Sequence, residues 1–347
     1  MTRRTLPITA AVNVYNSERT IVRALESIAA QSCLPAEILV IDDGGTDASA
    51  EIARRAGARV ISQPNQGVGG GRNTAARAAS QPWIAYLDGD DAWYPHKLER
   101  QWQAHELRPD VAVITTEFDR VWSDRRERRP MLREHAAYRR TIRTPLGPGI
   151  VAIERSNAAR RLVEGNFILP SALMVARVRI VNDGVFALGV AQLAQGPLVW
   201  ETEDLEWFLR LLVASDLVVV EEPLTEYHLH GNNLSSNQAR MRYGDVFLCR
   251  RVLARPADYP PIPAAELEHI RSWKQREAAW EFVRRGQTSF ARHVMREALA
   301  ERRSLRNAVG LGLVLLLDNR LGRRVLEATR IVWKRVLKRE VSLTAEP

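Results

Sequence analysis

Along the first hundred residues, hydrophobic positions switch repeatedly between an unbroken run and a helical spacing. Pro7–Val14 is an apolar, β-branched run; after a candidate helix cap at Ser17, Ile21, Leu25, Ile28 and Ala29 recur at the spacing of one helix face. The alternation returns at 37–41, a short apolar run ended by Asp42-Asp43-Gly44-Gly45 with a helix opening near Asp47. It returns again at 59–62, followed by a helix over 70–79, and at 83–87. Repeated β-α units predict an α/β fold: a Rossmann-like, mostly parallel sheet with helices on both faces. Ligands of such sheets gather beyond the carboxyl ends of the strands, which here means Tyr15-Asn16, Asp42-Asp43, residues 65–73 and residues 88–91.

Farther along, the pattern changes character. Residues 119–161 are polar, Arg-rich and poorly periodic, and read as a loop or lid. Apolar patterning resumes at 167–175, in a helix over about 203–214 and in a strand at 217–220. Four prolines within 256–266 mark a linker, and beyond it helices are expected over 267–285, 288–302 and about 305–339. The expected organisation is a catalytic domain over 1–255, a linker over 256–266 and a helical region over 267–347.

Composition narrows the classes. With 347 residues, 46% of them hydrophobic and 26% charged, the chain can bury a sizeable core and is neither collagen-like nor disordered. Cys33 and Cys249 form no C-x-x-C pair, so neither a disulfide scaffold nor a cysteine zinc site is indicated. No signal-peptide-like run precedes Asn13 and no run approaches about 18 apolar residues, so a cytoplasmic protein is expected. Of 50 basic residues only four are lysine, against 41 acidic ones, for a net charge of +9. A basic surface suits phosphorylated ligands or anionic lipid. Nucleic acid is disfavoured because the arginines are scattered and no nucleic-acid motif is present.

The strongest chemical signal is Asp88-Gly89-Asp90-Asp91 directly after an apolar strand. Three carboxylates in four residues repel one another, and a hard divalent ion, Mg²⁺ or Mn²⁺, relieves that repulsion while keeping positions open for water and phosphate oxygens. The plainer reading is an acidic turn capping the helix near Pro95.

Four ordered blocks decide between these readings: VNVYNSERTIVRALESIAAQS, EILVIDDGGTDAS, NQGVGGGRNTA and YLDGDDAWYPHKLERQ. Together they resemble the family 2 glycosyltransferases of GT-A fold, strongly over 7–105 and weakly to about 236. The resemblance implies an inverting, metal-dependent transferase that takes a nucleoside-diphosphate sugar as donor. It implies that Asp43 accepts a hydrogen bond from the nucleotide base, that Tyr15 and Asn16 belong to the loop around the nucleoside, and that Arg72 contacts ribose, base or phosphate. Asp90 or Asp91 would bind the metal, with Asp88 near the ribose or bracing the loop.

Farther on, Thr202-Glu203-Asp204 resembles the family's E-D motif, which makes Asp204 the candidate general base and Glu203 its neighbouring candidate. The plain alternative is a helix N-terminus that favours acidic residues. In Tyr227-His228-Leu229-His230, His230 falls where the family's histidine reaches the diphosphate or metal, and His228 stands in place of the usual arginine. No Q-x-x-R-W string and no membrane-spanning helices follow, so a single-addition enzyme is expected. By the family's usual work it would act in surface polysaccharide or glycolipid assembly on a saccharide or lipid-linked saccharide acceptor. The basic, apolar-striped residues 319–340 could rest on an anionic membrane, which would place the enzyme at the inner face of the cell membrane. The competing reading is a non-catalytic nucleotide-sugar-binding scaffold. A dinucleotide-binding dehydrogenase is disfavoured because Tyr15-Asn16-Ser17 stands where G-x-G-x-x-G would.

Overall fold

The computed structural model describes residues 3–122, 127–182, 202–230 and 237–317. The first hundred residues take up the expected alternation: β1 (Thr5–Val14), α1 (Ile21–Ala29), β2 (Leu34–Asp42), α2 (Ser49–Arg55), β3 (Arg59–Ser62), α3 (Gly67–Ala78) and β4 (Trp83–Asp88). A two-residue strand β5 (Ala92–Trp93) and α4 (Lys97–Leu107) follow. Strands β3, β2, β1 and β4 lie side by side in that order, all parallel. Because α1 and α3 pack against it, β1 is buried along most of its length, as its largely apolar run requires. One boundary differs from expectation. Ser17 does not cap α1 with its side chain; its carbonyl accepts the N–H groups of Thr20 and Ile21, both at 2.9 Å, and the helix opens at Ile21.

Residues 119–161, read from sequence as loop or lid, are largely regular. They hold the end of β6 (Val113–Trp122), then β7 (Glu127–Pro130), α5 (Ala136–Arg139), β8 (Thr144–Gly147), β9 (Ile150–Ile153) and most of α6 (Arg155–Glu164). Four-residue strands give few positions for a period to emerge, and the arginines of β7, α5 and α6 mask the short apolar stretches between them. One buried carboxylate organises the segment: Glu117 accepts the N–H groups of Phe118, Met131 and Leu132 on Oε1 at 2.7–3.0 Å and that of Arg133 on Oε2 at 3.1 Å.

A 3₁₀ turn (Pro170–Ala172), β10 (Met174–Ala176) and α7 (Arg177–Asn182) come next, then α8 (Glu203–Leu211) and β11 (Leu217–Leu229). The sheet continues from β4 through β10, β6, β11 and β9 to β8, with β10 antiparallel to both neighbours. The sheet is therefore mixed, wholly parallel from β3 to β4. β11 outruns the expected strand by nine residues, because its polar second half still pairs with β6 and with β5.

The described residues form two compact units. The first holds the sheet, α1 to α8 and residues 257–261. The second holds α9 (Gln238–Ala254), α10 (Ala264–Arg284), α11 (Thr288–Glu301) and α12 (Leu305–Leu317), so α9, ahead of the proline-rich stretch, belongs with the C-terminal helices. Its core gathers Tyr243, Val246, Phe282, Val294, Met295 and Val314, and buried Lys274 is paired with Asp245 at 2.8 Å. No described helix is long and apolar enough to cross a membrane. The basic stretch 319–340 lies outside the described residues.

Candidate functional site

The carboxyl ends of β1, β2 and β4 open on one side of the first unit, and the charged residues singled out by sequence collect there. At one end, Asn16 stands just past β1 with φ +51°, a left-handed conformation that asparagine tolerates. Its amide oxygen accepts the Thr46 N–H at 2.8 Å and so ties the loop after β1 to the loop after β2. Beside it the Tyr15 ring is 55% exposed, a flat apolar surface open to a ligand. Asp43 is 2% exposed. Its N–H donates to the Val14 carbonyl at 2.9 Å, and its Oδ1 accepts from the Gln63 amide at 2.6 Å and the Gln66 N–H at 3.0 Å. Gly44, with φ +83°, lets the turn close: a Cβ there would lie 2.8 Å from the Asn65 nitrogen.

At the other end, the acidic turn after β4 spreads its three carboxylates in three directions. Asp88 accepts from one Arg72 nitrogen on both oxygens, at 2.9 Å each, and Arg72 is only 4% exposed. Burial opposes the Arg72 charge, but Asp88, followed by Glu203 and Asp204, outweighs it and holds the guanidinium above its usual range. Arg72 thus braces Asp88 from within. Its helix comes this close because Gly71 has no side chain; a Cβ there would lie 1.9 Å from the Asn13 amide oxygen.

Asp91 turns inward. It is 1% exposed, and its two oxygens accept from the Ser171 hydroxyl at 2.6 Å and the His228 N–H at 3.0 Å. Burial, and then the Asp90 and Asp88 charges, push its carboxyl well above the ordinary range. Asp90 turns outward: its side chain is 31% exposed and its Oδ2 lies 3.0 Å from His230 Nε2, while its carbonyl accepts from Arg23.

A divalent ion would find a sparse donor set here. Among the described residues no group of three His, Cys, Asp or Glu is arranged to enclose a metal. Asp90 and His230 nonetheless supply an oxygen and a nitrogen at the mutual spacing of two adjacent ligands, about 3 Å for bonds of about 2.1 Å at right angles. Two protein ligands with the remaining positions left open fit an ion that shares its shell with phosphate oxygens and water.

The first turn of α8 carries Glu203 and Asp204. The helix is seated by Trp207, fully buried with its ring edge-on to Tyr86 at 5.6 Å, and by the Tyr259 hydroxyl, which donates to Glu206 at 2.9 Å. Asp204 accepts the Leu205 N–H on Oδ1 at 2.6 Å and the Asn166 amide on Oδ2 at 3.4 Å. Glu203 is pushed up to about 7 by burial and by the Asp204 charge, with Arg72 pulling the other way and Asp88 adding to the rise. Arg72, Asp88, Glu203 and Asp204 thus share one electrostatic neighbourhood.

The sequence reading did not single out several residues that hold this arrangement: Ser171 and the His228 backbone at Asp91, Gln63 and Gln66 at Asp43, Asn166 at Asp204 and Arg23 at Asp90. Ser171 did carry a signal, as a lone hydroxyl inside the apolar stretch Phe167–Val175. Glu201 and residues 231–236, which flank Thr202-Glu203-Asp204 and Tyr227-His228-Leu229-His230, lie outside the described residues.

Known proteins resemble this chain in sequence and in fold. Residues 9–163 match the family described as glycosyl transferase family 2. The succinoglycan biosynthesis protein ExoO of Rhizobium meliloti is 43% identical over 97 residues, 27% of this chain and 28% of that protein. The matched stretch spans only about a third of the first curated relatives, 28–36% of their length. S. aureus TarS, solved with UDP, superposes over 94% of this chain and 92% of its own with a TM-score of 0.57 at 16% identity. The Pyrobaculum calidifontis mannosyltransferase PcManGT, solved with GDP-Man and Mn²⁺, covers 96% of this chain and 88% of its own with a TM-score of 0.52 at 16% identity. At such identities the likeness is one of fold, and it is the GT-A-like fold that the strand pattern and the four motifs predicted.

Proposed function

We propose, from the premise that this chain belongs over residues 9–163 to the family 2 glycosyltransferases, that it transfers a hexose from a nucleoside-diphosphate sugar to an acceptor hydroxyl with inversion. Tyr15 and Asn16 receive the nucleoside, Asp43 faces the base edge, and Asp88, braced by Arg72, stands by the ribose. Asp90 and His230 hold a Mg²⁺ or Mn²⁺ ion, while Asp91 anchors the turn that carries Asp90. When bound, that ion supplies a Lewis acid for the charge on the departing diphosphate. Asp204 takes the proton from the acceptor hydroxyl as it attacks the anomeric carbon from the face opposite the leaving group. Glu203, pushed up to about 7 beside it, sets the pH range in which that proton can be taken.

The observation that carries this reading is the division of labour in the acidic turn, with Asp91 buried, Asp88 paired with Arg72 and Asp90 set 3.0 Å from a histidine, past the strand end where such folds bind ligands. An acceptor in surface polysaccharide or glycolipid assembly, saccharide or lipid-linked saccharide, is supported by the name of the ExoO relative. Peripheral contact with an anionic membrane is supported by the basic composition of 319–340. Calorimetric titration with UDP, GDP, CDP and dTDP, each with and without Mn²⁺, tests the reading. Metal-dependent binding of one diphosphate is expected. Failure of all four to bind the folded protein would overturn the donor site.

A further inference from the structure

We infer that Ser171 is a positioning residue for the nucleotide-metal site, one that sets the direction of Asp90 without touching its side chain. The inference rests on the donor-site reading above. Ser171 is fully buried in the 3₁₀ turn before β10, more than eighty positions from the acidic turn, yet four hydrogen bonds tie it to three elements around that turn. Its hydroxyl donates to Asp91 Oδ2 at 2.6 Å and accepts the Asp88 N–H at 3.0 Å. Its carbonyl accepts the Trp93 indole N–H at 2.8 Å and the Thr225 hydroxyl at 3.5 Å.

The hydroxyl therefore spans the acidic turn from its first residue to its last. A hydroxyl carries one proton and lone pairs for two acceptances, so it can serve an N–H at one end and a carboxylate at the other; no apolar side chain can replace either bond. With Asp91 held by Ser171 on one oxygen and by the His228 N–H on the other, the turn cannot rotate to offer Asp91 outward. The intervening Asp90 is thereby presented on the outer side, where it meets His230. The His228 N–H that completes the Asp91 clamp belongs to the same strand segment whose continuation carries His230, so both halves of the proposed ion site are referred to one buried oxygen.

Groups that orient metal ligands through such outer contacts typically change metal affinity by about 10- to 100-fold when removed. Ser171→Ala is accordingly expected to raise the Mn²⁺ midpoint for nucleoside-diphosphate binding by about 10-fold or more. Diphosphate affinity in the absence of metal should change less than about twofold. Ser171→Thr, which keeps the hydroxyl, should return the midpoint towards wild type. An effect on overall packing alone would weaken both binding modes together and would not be rescued by threonine.

The measurement is a Mn²⁺ titration of UDP, GDP, CDP and dTDP binding by wild-type and variant full-length protein, with thermal melting of each. A wild-type protein that binds no diphosphate with metal overturns the donor-site reading and this inference with it. A wild type that binds and a folded Ser171→Ala with the same Mn²⁺ midpoint overturn the role of Ser171 alone. Should Ser171→Ala not fold, Ser171→Cys, a weaker donor of similar size, replaces it: a midpoint raised several-fold over Ser171→Thr supports the inference, and equal midpoints overturn it.

Discussion

The acidic turn after β4 and the acidic start of α8 both place carboxylates next to one another in sequence, and the protein treats them in opposite ways. In the turn each carboxylate has its own counterpart: Arg72 for Asp88, His230 for Asp90, and Ser171 with the His228 N–H for Asp91. At α8, Glu203 and Asp204 share one helix end and the distant attraction of Arg72, and Glu203 rises to about 7. Separate counterparts fix the directions of charges, which suits holding an ion. Asp91 is pushed up as well, but it is buried with both oxygens engaged, whereas the raised Glu203 stands beside Asp204, where a shifted proton equilibrium suits moving a proton.

The contrast can be broken most severely at Arg72, which both clusters use. Arg72→Ala leaves Asp88 without its buried partner and is expected to destabilise the fold by about 3–5 kcal/mol, the usual consequence of removing one member of a buried ion pair. Chemical denaturation of the two proteins reads this directly, and a loss below about 1 kcal/mol would mean that Asp88 is served by solvent instead.

Next in size, Asp204→Asn should leave donor binding nearly intact while cutting turnover by roughly 10² or more. An equal loss of donor affinity would move Asp204 from proton transfer to binding. The two adjacent aspartates sharpen the first half of the contrast. Asp90→Ala is expected to abolish the metal dependence of diphosphate binding with little change in melting temperature. Asp91→Ala, which orphans the Ser171 hydroxyl and the His228 N–H, should lower the melting temperature as well. Identical behaviour of the two variants would dissolve the inward–outward distinction.

The smallest effect lies in the pH dependence. Glu203 has a raised value in the folded protein, so its contribution to stability is present below the ordinary glutamate range and is lost as pH rises through about 7. Glu203→Gln should therefore raise the melting temperature at pH 8 relative to pH 5, and shift the acidic limb of the turnover profile below its wild-type position. Melting curves at the two pH values suffice; a variant that gains nothing at pH 8 would show that the Glu203 charge is already compensated.

What sequence could reach differs between the two halves of the sheet. Strands β1 to β4 were legible because each has an apolar centre and alternates with a helix, so 59–62 was placed to the residue and the others nearly so. Strands β7 to β9 escaped because they follow one another with only the four-residue α5 between them, without the alternation with long helices that marked β1 to β4, and because Glu117, whose four backbone hydrogen bonds fold the segment back, looks in sequence like one more charge. The candidate site was legible at the level of its chemistry, as acidic and histidine positions in ordered motifs. Which of Asp88, Asp90 and Asp91 faces outward was not, because the answer lies with Ser171, Arg72 and the His228 backbone, remote in sequence from the turn and unremarkable by type.

The irregularity in β11 bears on how this chain can be altered. Val220 pairs with Thr116 and Thr225 with Phe118, so five steps along β11 run beside two along β6. Strand parity is reset across that stretch, and it decides which side receives Glu226 and His228, whose side chains bond at 3.0 Å. Substitutions between 221 and 224 that preserve length should be tolerated far better than the loss of a single residue there. Deleting Glu222 is expected to keep the pairing of Leu217–Val220 in the core yet turn the distal strand over and part His230 from Asp90, a change that loss of Mn²⁺-dependent diphosphate binding with retained cooperative melting would reveal. In this stretch of β11 the number of residues matters more to the site than their kind.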